Sequence, residues 1–191
     1  NKFKMEKLTN TQANVRTTTW TIDPLHSEVL FKIKHLVIST VTGSFTKFEG
    51  LVHTTGDEFE NAQISLTIDV NSIHTGQEQR DVHLKNSDFF EIEQYPVISF
   101  RSTSFIRTGS DKFLLKGDLT MKGVTKEVTL DVEYGGMEKD HFGNIKAGFE
   151  VSGVINRKDF GLTFNALTES GGLALGETVK IIANIQLSCA A

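Results

Sequence analysis

From Thr19 onward the chain alternates apolar and polar residues over long stretches. Val29, Phe31, Ile33 and His35 share one face, with Leu30, Lys32 and Lys34 on the other. Ala62, Ile64, Leu66, Ile68 and Val70 alternate with Gln63, Ser65, Thr67 and Asp69. A third run sets Val124, Val128, Leu130, Val132 and Tyr134 against Thr125, Glu127, Thr129, Asp131 and Glu133. Ile145, Ala147, Phe149, Val151 and Gly153 repeat the pattern, and Val179, Ile181, Ala183, Ile185 and Leu187 close it. A period of two places successive side chains on opposite faces of a pleated strand, so each run predicts a strand with one dry face.

Turn signals separate the runs: Thr55-Gly56-Asp57, the stretch from Thr108 to Asp111, Lys122-Gly123 and Gly135-Gly136. Long strands joined in sequence by short turns predict an up-and-down antiparallel sheet. With about eight strands such a sheet closes into a barrel that holds side chains or one small ligand. One segment departs from this pattern. Thr75 and Glu78 have capping-box spacing, and good or neutral helix formers follow, so a short helix is expected at 76–85. A second helical turn is expected at 35–39, weakened by β-branched Val37 and Ile38. Residues 1–18 are polar and aperiodic and read as a flexible arm, leaving 19–191 as a single domain.

Composition sharpens the picture of the interior. The 191 residues include 14 Phe but one Trp and two Tyr. A buried Phe needs no hydrogen-bond partner, whereas Tyr and Trp usually do, so this interior can be dry. Whether it is a filled core or a lipid pocket is left open, since both need the same residues. The net charge of −4 and the pI near 5.9 argue against general nucleic-acid binding. The lone Cys189 can form no internal disulfide. No apolar stretch reaches the ~18–20 residues of a transmembrane helix. The first 19 residues contain no apolar signal segment, which reads as cytoplasmic, or periplasmic if a signal has been removed.

Candidate chemistry is sparse. The six histidines are scattered, without H-x-H or H-E-x-x-H spacing, so no metal site is expected. There is no G-x-S-x-G nucleophile elbow, and Glu127, Asp131 and Glu133 lie on a polar strand face. No catalytic residue is assigned. His35 continues the face of Phe31 and Ile33, as a core histidine or a contact to a polar ligand end. Arg80 is expected to pair with Asp81 or Asp88, and Arg157 with Asp159 to tie the turn beside Phe160.

The motifs, taken in order, resemble the YceI-like family. They are WTIDPLHS at 20–27, FKIKHL at 31–36 and GSF at 43–45, then SIHT at 72–75, RDVHLK at 80–85 and DFF at 88–90. YPVISF at 95–100, GDLTMKGVT at 117–125 and RKDFGL at 157–162 follow. His74 departs from the Ser or Asp usual there. The resemblance implies an all-β, extended antiparallel eight-stranded lipocalin-like β-barrel, with the short helix near an opening. It implies a lumen for a long-chain amphiphile, above all a polyisoprenoid of quinone or prenyl-diphosphate type, and no other cofactor. The expected lumen residues are Phe31, Ile33, His35, Phe45, Phe48, Leu66, Ile68, Phe89, Phe90, Phe100, Phe149, Val151 and Phe164. Arg80 and His83 are the expected head-group contacts. A homodimeric bacterial lipid carrier is the leading expectation. An enzyme or stress-response factor acting on an isoprenoid or fatty-acyl amide lipid, and a solid-cored interaction module, are the alternatives.

Overall fold

The computed structural model describes residues 16–56 and 58–189. Of the predicted polar arm, residues 1–15 lie outside that description, while Thr17 and Thr18 already belong to the first strand. The strands are β1 (Thr17–Ile22), β2 (Glu28–His35), β3 (Ser39–Phe45), β4 (Phe48–Thr55), β5 (Gln63–Asp69) and the two-residue β6 (Ile73–His74). After the helix α1 (Glu78–Lys85) come β7 (Val97–Arg107), β8 (Lys112–Met121), β9 (Val124–Lys139), β10 (Ile145–Asn156) and β11 (Leu175–Cys189). All pairings are antiparallel.

Closure comes from two interrupted strands. β11 pairs with β2 along its first half and with β1 near its end, so β1 and β2 together make one wall strand with a jog at 23–27. Across from them β3 pairs with β2 and β4 with β1, making the next wall strand. With β5 and β7 to β11 this gives the expected closed eight-stranded barrel. On its other edge the end of β3 pairs with β6, Ser44 with His74 and Phe45 with Ile73, and α1 with the segment after it continues the wall there. One end of the barrel carries α1, the β2–β3 turn and the 161–174 loop. The opposite end carries residues 58–62 and the β7–β8 and β9–β10 hairpins.

Every alternating run in the sequence is a strand, and its apolar face is the inner one. Three local expectations are corrected. The helix begins later than 76, because Gln77 rather than Thr75 caps it: the Gln77 side chain accepts from the Arg80 N–H at 2.5 Å. Thr75 instead donates its N–H and hydroxyl to Asp81 Oδ1, at 2.9 and 2.5 Å. Residues 35–39 form no helical turn. His35 and Ser39 close a hairpin, and Leu36 and Val37 take left-handed φ values of 51° and 65°, which the two flanking strands impose.

Gly135-Gly136 is not a turn either. β9 runs through it to Lys139, and the register slips between Gly148 and Phe149, leaving Gly135 as the extra residue of a bulge. Gly136 supplies the φ of 113° that this bulge needs.

Candidate functional site

The barrel is hollow. Its interior cavity measures about 510 Å³, inside the roughly 300–1,000 Å³ of small-molecule sites. The solid-cored alternative is thereby set aside. Ile33 from β2, Leu66 from β5, Phe100 from β7, Phe149 and Val151 from β10 and the inner face of β11 build its wall. Those strands point one residue in two inward, so the dry lining follows from the alternation.

Of the expected lumen residues, all but Phe48 border the cavity. Phe48 stands at the start of β4 opposite Ile68 and packs against the core cluster without bordering the hollow. Several wall residues went unnoticed in the sequence, among them Ile22, Ile98 and Leu162, and so did Phe59, just before β5. Phe59 lies in an aperiodic stretch, and no sequence signal marks it as internal.

A recurring device keeps the wall tight. A large inner side chain lies over a cross-strand glycine: Phe31 over Gly43, Ile22 over Gly50, Phe100 over Gly117 and Leu130 over Gly153. At Gly117 a Cβ would stand 2.4 Å from the Phe100 ring and 2.5 Å from the Arg101 carbonyl. These glycines let aromatic and branched side chains fold flat against the sheet instead of filling the lumen.

Most of the polar residues that line the cavity gather at the α1 end. Thr75, Arg80, His83 and Asn165 border the cavity there, with His35 at the end of β2. Arg80 pairs with neither Asp81 nor Asp88. Its Nε donates to Thr75 Oγ1 at 2.7 Å and its Nη2 to the Thr75 carbonyl at 2.8 Å, since Asp81 is already held by Thr75. Asp88 is taken by His83, Nε2 to Oδ2 at 2.8 Å. The His83 ring meets Phe89 and Phe164 edge-on, at 5.1 and 5.0 Å, and so joins α1 to the 161–174 loop. The rim beyond it is apolar, with Val37, Ile38 and Leu167 exposed.

Behind that loop sits Arg157, buried at 2% exposure. Its Nε donates to the Gly176 carbonyl and its Nη1 to the carbonyls of Phe164, both at 2.8 Å, and Leu162. Burial pulls its pKa down, against the opposing charge of Glu177. It ties the turn beside Phe160 without Asp159, which is in none of these contacts. At the far end, Phe59 packs on Trp20, Tyr134 and Phe149. Burial there raises the pKa of the Tyr134 phenol, with Asp111 adding to the effect and Arg107 opposing it. Among the described residues no group of three or more His, Cys, Asp or Glu could hold a metal ion. No described helix is long and apolar enough to cross a membrane.

An antiparallel barrel closed around an apolar hollow, with one short helix at its end, defines a lipocalin-like class of ligand-enclosing proteins. Within it, the chain belongs to the YceI-like family, whose domain model matches residues 20–187. The UPF0312 protein SA2479 of Staphylococcus aureus (strain N315) is 40% identical over 172 residues, covering 90% of this chain and 98% of that one. The crystal structure of Burkholderia cenocepacia BcnA superposes with a TM-score of 0.75 at 22% identity, over 86% of this chain and 98% of that one. A polyisoprenoid binding domain from Saccharophagus degradans, implicated in plant cell wall breakdown, gives 0.64 at 18% identity, over 90% and 99%. These two structural likenesses speak to the fold.

Proposed function

We infer that the protein is a non-catalytic carrier or store for a long-chain amphiphile, above all a polyisoprenoid of quinone or prenyl-diphosphate type. The observation that carries this reading is the 510 Å³ apolar hollow with most of its polar lining residues at one end. Each CH₂ moved from water into such a lining gains ~0.8 kcal/mol, so a long tail binds with few polar contacts. The lining is fixed by strands and asks for no rearrangement. Arg80, His83, Thr75 and Asn165 suit a phosphate or carbonyl head group at the opening. The description of the Saccharophagus domain as polyisoprenoid binding adds support.

Native mass spectrometry of the protein as purified, followed by solvent extraction, tests the reading. A bound lipid is expected, or uptake of an added prenyl or fatty-acyl probe. A protein that carries no lipid and takes up neither probe would overturn it. The same spectrum counts subunits and so tests the homodimer that the family resemblance implies.

A second reading, an enzyme acting on the same lipid, draws on the His83–Asp88 pair at the opening. Both side chains are more than two-fifths exposed, at 42% and 45%, and the site lacks the enclosure that strengthens general acid–base groups. Turnover of a lipid amide or ester that disappears in His83→Ala would establish it.

A further inference from the structure

We propose that Phe59 is the floor of the tunnel and sets the longest tail it accepts. The proposal rests on the lipid-carrier reading and adds a specificity determinant to it. Loop residues normally face solvent, because their backbone polar groups need water. Phe59 sits on the loop joining β4 to β5, yet it is only 5% exposed and borders the cavity. That loop lies at the end opposite α1. The Phe59 ring therefore stands across the path of a tail entering beside the helix.

Its position is fixed from two sides. Inside, the ring centroid is 4.9 Å from Phe149 in an edge-on contact and 5.1 Å from Trp20, with Tyr134 at 5.7 Å. Trp20 is itself anchored, its indole N–H donating to Thr54 Oγ1 at 3.3 Å. Outside, the loop is clipped to β7. The Asn61 N–H donates to the Phe105 carbonyl at 2.8 Å, the Arg107 N–H to Glu60 Oε1 at 3.4 Å, and Arg107 pairs with Glu58 at 3.6 Å. The Ala62 N–H closes the turn onto the Phe59 carbonyl at 3.0 Å. Asn61 takes a φ of 62°, which Asn tolerates better than most residues, and this bends the chain back into β5. A residue held this way on both sides acts as a stop, whereas wall residues such as Val151 set only the width.

The test is native mass spectrometry of the delipidated full chain with an equimolar mixture of saturated fatty acids, lauric to lignoceric. A parallel series of prenyl alcohols, farnesol to solanesol, is run beside it. The wild type is expected to retain acids up to a sharp length limit. Phe59→Ala should move that limit longer by about two to four carbons, the space a deleted ring leaves when its surroundings relax only in part. Phe59→Trp should move it shorter. Phe142→Ala, on the exposed β9–β10 hairpin at the same end, should leave it unchanged. Should Phe59→Ala fail to fold, Phe59→Leu must still lengthen the limit.

An unchanged limit in a folded Phe59→Ala or Phe59→Leu protein would overturn the proposal while leaving the carrier reading intact. A wild type that retains no member of either series would overturn the carrier reading, and the floor with it.

Discussion

Asp23 shows how much one side chain organises at the jog between β1 and β2. Its Oδ2 accepts from His26 Nδ1 at 2.9 Å, Lys146 Nζ at 3.2 Å and Gln186 Nε2 at 3.3 Å, and its Oδ1 accepts from the Leu25 N–H at 3.1 Å. The carboxylate thus ties the jog to β10 and β11. Burial works to raise its pKa, but the hydrogen bonds from His26, Lys146 and Leu25 outweigh it and hold the group at about 2. The unfolded value is ~3.9, and each unit of difference corresponds to ~1.4 kcal/mol. A depressed folded pKa contributes stability that is fully present above the unfolded value and is lost as pH falls through the folded one. The expected contribution of about 2 kcal/mol therefore fades between roughly pH 5 and pH 2. Urea midpoints of wild type and Asp23→Asn should differ near neutrality and converge across that window. A gap that stays constant down to the lowest pH would show that the carboxylate's charge is not what counts.

Among the elements, the 161–174 loop is the least regular part of the wall, tied to β11 by the Asn165 side chain and to its surroundings by the Arg157 guanidinium. Arg157 satisfies the carbonyls of Leu162, Phe164 and Gly176, and its Nη2 meets neither solvent nor an acceptor among the described residues. Charge-assisted hydrogen bonds of this kind contribute ~1.5–3 kcal/mol each, net of the water contacts given up. Lysine cannot span three carbonyls from one ammonium. Arg157→Lys should cost about 2–4 kcal/mol in chemical denaturation. It should also speed amide exchange across 161–176 before the strands open. Exchange in that loop equal to wild type would mean that packing by Phe160 and Leu162, and not the guanidinium, holds the loop in place.

For the whole molecule, the hollow carries an energetic consequence. A barrel of this width leaves apolar wall without contacts on its inner side, and a bound tail supplies them. Anything that binds only the folded state stabilises it, by ~2.7 kcal/mol at a hundredfold excess over Kd. For a domain of this size that corresponds to a rise in Tm of roughly 5–10 °C. Delipidated protein should melt lower by that amount and recover when a prenyl or fatty-acyl probe is added back. Identical melting in both states would argue against a lipid in the lumen.

The strands of the wall were legible in the chain because alternation is a local property of the pleat. Val128, Leu130 and Val132, or Ile181, Ala183 and Ile185, face inward whatever their neighbours are, since water is excluded from only one side. Tight connections with a residue pair suited to left-handed φ, such as Lys122-Gly123, were legible for the same reason. The tertiary structure decided what depends on residues far apart in sequence. It made Gly135-Gly136 a bulge and not a turn, because the register against β10 decides what the glycines' freedom is used for. It put Phe48 outside the hollow and Phe59 inside it, and gave Arg80 to Thr75 and Asp88 to His83. Above all it decided that the interior is a cavity. Alternation specifies a dry face, but empty volume depends on how the strands close and on which side chains fold flat against glycines across the sheet, and neither is written in any one stretch of sequence.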